Sequence, residues 1–198
     1  MTRWELGPVP PVSTGAARAW SLARAESHDR GALITLLGAQ FLEHDIRLTP
    51  EQLAVSVDGV LSDPTRGLFI VARVGGNTEP PSERPPAPYP GAPVPPAPSS
   101  PSSTIVVGIA FLSFMWTLEH GGVSAWLDVL YVVPAHRSQG IGRALLTSAL
   151  EASQQRGCVA VDLEIEASHA RAANLYLRLG FRPHARTRWV KPLKGNMF

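Results

Sequence analysis

Three sets of residues in this chain are of types and at spacings that could do chemistry. The first is Arg137-Ser138-Gln139-Gly140-Ile141-Gly142-Arg143, between an apolar run at 126–133 and a helical pattern that opens at Gly140. Small residues let a ligand approach the backbone, and the first free N–H groups of a helix point at negative charge. Such a turn suits a phosphate. The second is Asp128, a carboxyl group inside an otherwise apolar strand, where burial raises the pKa toward a value useful to a general base. Strict alternation would put it on the same side as Leu130, two residues on. The plain alternative is a structural Asp bonded to a neighbouring strand or turn. The third set is Asp162, Glu164 and Glu166, which alternate along one strand and so point the same way. With Glu43, Asp45, Glu119 and Asp128 they could surround a cationic amine, or they are a solvated strand face.

Two familiar glycine loops do not fit. A Walker A loop ends in Gly-Lys-Ser/Thr, whereas Gly142-Arg143-Ala144 stands here, and a dinucleotide fingerprint needs a third glycine and an early position. What remains is an Arg-x-x-Gly-x-Gly pattern on Arg137, Gly140 and Gly142. His44 and His120 fall in turns, where a lone histidine is more often surface than catalytic. No His/Cys/Asp spacing suggests a metal. Tyr176 taken alone reads as a core aromatic on the face of Ala172, Ala173 and Leu179.

The elements that must position these groups are legible. With 198 residues and 44% hydrophobic content, the chain suits one domain with appendages. Residues 1–17 carry Pro8, Pro10, Pro11 and Gly15 and read as an extension, leaving one domain at 18–198. Periodicity predicts a strand at 20–24, helices at 29–41 and 49–61, and a buried strand at 67–74. Residues 75–103 contain eleven prolines in 29 positions, so they cannot pair in a sheet and read as an insertion between two strands of a hairpin. Strands at 104–116 and 124–133, a helix at 140–156 stopped by Gly157, a strand at 159–166, a helix from Ser168 to Leu179 and a last strand at 189–193 follow. The early strands meet as antiparallel hairpins, and the later β-α-β crossover favours a parallel pair.

A formal charge of +2 does not argue for nucleic acid. The charge is uneven: residues 167–198 carry seven Lys/Arg and no acid, a solvated basic face or an attraction for a polyanionic cofactor. A single cysteine, Cys158, excludes an intrachain disulfide and a Cys-based metal cluster. No apolar run approaches signal-peptide or membrane-span length, so a cytoplasmic protein without a membrane partner is the expectation.

The Arg137–Gly140–Gly142 turn, with Leu130-Tyr131-Val132-Val133-Pro134 before it, resembles the coenzyme A loop of the GNAT superfamily of N-acetyltransferases. Ala172-Ala173-Asn174-Leu175-Tyr176, followed by Gly180-Phe181, resembles the family's later motif. Two departures stand out: Ser138 where glycine is commoner, and His169 in place of the usual Asn seven residues before the tyrosine, which Asn174 could replace. The resemblance implies an α/β (α+β) GNAT fold, a mixed central sheet with a splayed parallel strand pair and flanking helices. It implies acetyl-CoA as co-substrate, held by Leu130, Tyr131, Val132, Arg137, Ser138, Gln139, Gly140, Ile141, Gly142, Arg143, Asn174 and Tyr176. It implies an oxyanion contact from a backbone N–H near Val129 or Leu130, Tyr176 as the general acid, and a homodimer by analogy. Asp128 is the candidate base. The layout is similar to the spermidine/spermine N-acetyltransferase group, which implies an acceptor site at residues 41–49, with Glu43, Asp45, Asp128 and Glu166 binding a small cationic amine. A protein amine acceptor and a non-catalytic acyl-CoA-binding module are the alternatives.

Overall fold

The computed structural model describes residues 19–75, 104–166 and 170–193. The N-terminal extension, the proline-rich insertion, Ser168 and His169 fall outside that set. Among the described residues the elements run β1 (Trp20–Arg24), α1 (Arg30–Glu43), α2 (Pro50–Ser62), β2 (Gly67–Val74), β3 (Ile105–Thr117), β4 (Gly122–Val132), α3 (Ile141–Gln155), β5 (Ala160–Leu163) and α4 (Ala170–Arg178). The strands form one sheet in the order β1-β2-β3-β4-β5. All neighbours are antiparallel except β4 and β5, which are parallel, as the intervening α3 crossover requires.

Local chemistry explains most boundaries. Pro50 opens α2 at its first position, and the Thr49 and Gln52 side chains satisfy each other's backbone N–H in a capping box. Gly157 and Gly180 stop α3 and α4 at φ of 74° and 89°. Asp29 does stand at the N-cap of α1, but its buried carboxylate does not cap the helix. It accepts instead from Arg73 Nη2, 2.7 Å from each oxygen, and from the Glu26 N–H at 2.9 Å. α1 ends at Asp45, which takes a left-handed φ of 57° so that the Ile46 N–H can return to the Phe41 carbonyl at 2.9 Å.

The sheet has helices on both faces. Leu33, Leu36 and Leu37 of α1 and Leu53 and Val57 of α2 bury one face against Val71, Ile109, Val129 and Tyr131. Ile141, Leu145, Leu146 and Ala149 of α3, with Tyr176 of α4, cover the other face against Ile70, Ala110, Ala125 and Leu127. Each fully buried aliphatic side chain contributes about 1.5–3 kcal/mol. α3 sits close because Gly108 lies beneath it, where an added Cβ would come within 3.1 Å of Leu145 Cδ1.

Two expectations are corrected. Strand β5 covers only Ala160–Leu163, four residues, and leaves Glu164 and Glu166 beyond its end. Residues 189–193 form no strand: among the described residues after α4, up to 193, there is no regular secondary structure, and residues 182–193 are exposed. Its Arg186 and Arg188 side chains instead tie it to Glu119 and Glu164, with N–O distances of 2.7 and 2.8 Å.

Candidate active site

The site is built around a fault in β4. Leu112 of β3 pairs with Leu127 and Phe111 with Val129, so Asp128 is an extra residue with no partner across the strand. This is a β-bulge, which bends a strand and re-aims its side chains. On the other side, β5 pairs with β4 only from Ser124 to Leu127. The parallel pair therefore comes apart at the bulge. Leu130, Tyr131 and Val132 lie beyond the point where β5 leaves, with backbone groups on that side unclaimed by a strand.

The bulge overturns the parity expected for Asp128. Leu127 and Leu130 both pack toward α3, which strict alternation forbids, while Val129 and Tyr131 pack toward α1. Asp128 is the unpaired residue between Leu127 on the α3 side and Val129 on the α1 side, so the parity counted back from Leu130 does not hold for it. Its carboxylate is exposed, yet neighbouring atoms displace enough water to push its pKa up. Arg188 and the Trp126 indole oppose that rise, and Glu164 adds to it.

Past β4 the chain makes one short turn, Pro134–His136, and enters the glycine loop. Ser138 and Gly140 both have left-handed backbones, φ 69° and 81°. Gly140 caps α3 without any side chain accepting from the helix, so the first N–H groups of α3 stay open to a ligand. An added Cβ at Gly142 would meet only Val132 Cγ2, at an ordinary 3.7 Å. Packing within the protein therefore does not demand glycine there. Ser138, Gln139 and Arg143 are exposed around the loop.

Arg137 is not pointed at the loop. Its Nε donates to the Val132 carbonyl at 2.8 Å, its Nη2 donates to Glu43 at 2.7 and 3.0 Å, and its guanidinium lies 5.5 Å from the Tyr131 ring centre. Tyr131 itself is buried on the α1 face. Its contribution to a cofactor would be its backbone.

Tyr176 lies on the α3 face of the sheet, buried beside Leu127, Ile141 and Ala149 and packed edge-on against Phe181 at 5.6 Å. Burial raises its pKa, so the phenol stays protonated. Asn174, two residues earlier, is exposed on another face of α4.

Five of the seven acids expected to collect an amine are already matched with bases. Asp162 meets His120 Nε2 at 2.8 Å, Glu164 meets Arg188 Nη1 at 2.8 Å and Glu166 meets His44 Nδ1 at 2.6 Å. Glu119 pairs with Arg186 at 2.7 Å and Glu43 with Arg137. Asp45 is exposed and serves to end α1. His44 and His120, taken as surface residues from sequence, are structural partners of the acids. The sequence reading did not foresee that Arg186 and Arg188 would pair with Glu119 and Glu164, partners 67 and 24 residues away.

Cys158 is half-buried and its pKa is pushed up by burial, which suits an unreactive thiol. Among the described residues no group of three His, Cys, Asp or Glu is placed to hold a metal, and no helix is long and apolar enough to cross a membrane.

Comparison with known proteins places this geometry. The chain superimposes on the crystal structure of a possible acetyltransferase from Clostridium difficile 630 with a TM-score of 0.65, at 15% identity, over 89% of this chain and 99% of that one. It superimposes on the aminoglycoside N-acetyltransferase AAC(6')-Iy in complex with CoA with a TM-score of 0.65, at 11% identity, over 92% of this chain and 100% of that one. In sequence it is 38% identical over 76 residues to mycothiol acetyltransferase of Beutenbergia cavernae, a match of 38% of this chain and 26% of that protein. The chain thus spans about a quarter of the length of that relative. The fold is that of the GNAT acetyltransferases, and residues 96–181, which include β3, β4, the glycine loop, α3, β5 and α4, match the acetyltransferase (GNAT) family.

Proposed function

We propose that the protein is an acetyl-CoA-dependent N-acetyltransferase that moves the acetyl group to a primary amine by direct attack, without a covalent enzyme intermediate. The observation that carries this reading is the β-bulge at Asp128, where the β4–β5 pairing stops, followed 12 residues later by the uncapped N-terminus of α3 at Gly140. Residues 137–143 would hold the pyrophosphate, chiefly through backbone N–H groups, and the acyl arm would lie along Leu130, Tyr131 and Val132 in the opening. A backbone N–H near Val129 or Leu130 would stabilise the developing oxyanion.

An alkylamine has a pKa near 10.4 and is mostly cationic at neutral pH, so it must lose a proton before it attacks. Asp128, with its pKa raised by burial, is the base in this reading, directly or through one water. Tyr176, kept neutral by burial, donates to the departing thiolate. Asp128 stands at the bulge of β4 and Tyr176 packs on the α3 face, so the opening between β4 and β5 is where one thioester would meet both.

The acceptor in this reading is a small amine. Relatives whose names state an acceptor include the mycothiol acetyltransferase and a thialysine N-epsilon-acetyltransferase, and both names describe small molecules. A strongly cationic acceptor would have to compete with His44 for Glu166 and with Arg188 for Glu164. The test is thiol release from acetyl-CoA against a panel of polyamines, amino acids, amino sugars, aminoglycosides and peptides. Turnover with at least one small amine is expected. Tight acetyl-CoA binding with no thiol release across the panel would replace the enzyme with a binding module, and turnover with peptides alone would move the acceptor to protein.

A further inference from the structure

Two consecutive residues at the end of α1 reach the ends of different strands. Glu43 meets Arg137, beyond the end of β4, at 2.7 and 3.0 Å, and His44 meets Glu166, beyond the end of β5, at 2.6 Å. From sequence, Glu43 and Glu166 were both expected to hold a cationic amine. Their partners separate them.

Arg137 turns its side chain back toward β4. Its Nε donates to the Val132 carbonyl at 2.8 Å, and its guanidinium lies 5.5 Å from the Tyr131 ring centre. The backbone closes over the same stretch: the His136 N–H donates to the Val133 carbonyl at 2.8 Å and the Arg137 N–H to the Pro134 carbonyl at 3.2 Å. Arg137 is the last residue before the left-handed Ser138. Where it sits therefore decides where the glycine loop begins.

We propose that Glu43 is a positioning residue for acetyl-CoA and not an acceptor contact: its carboxylate holds the Arg137 guanidinium against the end of β4, which pins the entrance to the glycine loop. The inference rests on that loop holding the pyrophosphate. Two opposed effects of the pair separate by sign. If the charge of Arg137 mattered most, freeing it from Glu43 would strengthen the attraction for a polyanion. If its position matters most, freeing it loosens the loop entrance and weakens binding. The geometry favours position. The guanidinium is bonded through Nε to Val132 and through Nη2 to Glu43, so a carboxylate already matches its charge. The open N–H groups at the start of α3 supply anion contacts without it.

The test is a double-mutant cycle on acetyl-CoA affinity in the full chain, read by calorimetry: Glu43→Gln, Arg137→Met and the two together. Glu43→Gln keeps the shape and removes the charge. It weakens acetyl-CoA binding about fivefold, the upper scale for a partly exposed pair, with the melting temperature nearly constant and acceptor KM unmoved. Once Arg137→Met is present, adding Glu43→Gln costs nothing more. Unchanged or tighter binding in Glu43→Gln overturns the proposal, as does a penalty that persists beside Arg137→Met. A rise in acceptor KM with acetyl-CoA affinity intact also overturns it and returns Glu43 to the amine site. A parent chain that binds no acetyl-CoA sinks the loop assignment itself, a result distinct from any within the cycle.

Discussion

The two sides of the β4–β5 opening are made differently. The donor side is local: the bulge, the end of β4, the glycine loop and the first turn of α3 fall within residues 127–143, and their shape is set by backbone φ values and an uncapped helix end. The acceptor side is assembled from remote pieces. His44 meets Glu166 across 122 residues, His120 meets Asp162 across 42, and Arg188 meets Glu164 across 24. In the proposed reading the donor side is therefore set by the backbone. The acceptor side depends on side-chain pairs that are exposed or half-buried, each of which can be exchanged without disturbing the sheet. Exposed pairs contribute only about 0–1 kcal/mol to stability. Changes there should alter selectivity more than folding.

The sharpest way to break this division is at the two groups that join the sides. Asp128→Asn and Tyr176→Phe should each lower kcat by about 100-fold or more, the usual scale for a general base or acid, with acetyl-CoA affinity unchanged by calorimetry. Retention of full turnover in both variants would remove the assignment of base and acid.

A donor-side change comes next in size. Gly140 has φ 81° and open space where a Cβ would go, so Gly140→Ala is strained by its backbone and not by a clash. The left-handed conformation costs an L-residue about 1–2 kcal/mol. Relaxation of the loop should weaken acetyl-CoA binding about tenfold and leave acceptor KM alone, read by calorimetry and steady-state kinetics.

An acceptor-side change should do the opposite. His44→Ala removes one partner of Glu166 and should shift acceptor KM several-fold while leaving acetyl-CoA binding and the melting temperature nearly constant. Equal effects on both substrates would erase the distinction between the two sides.

The smallest effects are on stability. Because folding raises the pKa of Asp128, the native state holds its proton more tightly than the unfolded state does. Stability therefore falls as pH rises from the ordinary carboxyl pKa through the raised one. Asp128→Asn should be modestly more stable than the parent at neutral pH, with the difference vanishing in acid below the ordinary value. Ser138→Gly should add about 0.5 kcal/mol, since serine sits at φ 69°, measured by denaturant unfolding.

The sequence by itself determined the place of the glycine loop and nearly all of the elements. Strand and helix periods, Pro50, Gly157, Gly180 and the Arg137–Gly140–Gly142 spacing are local signals, and local signals survive without a partner in view. Its failures share a cause. The parity counted for Asp128 from Leu130 failed because a bulge is a property of two paired strands, and the register of β3 against β4 is not written in β4 alone. A strand was expected at 189–193 because apolar residues stood there, yet no edge claims them. Glu43 and Glu166 read as free acids because nothing in a sequence shows that Arg137 and His44 will reach them. Those pairs exist only when α1 crosses the sheet from its anchor at Asp29 and Arg73 to the end of β4. The sequence supplied the charges and the loop; the tertiary structure decided which charges cancel, because Coulomb energy depends on distance in space and not along the chain.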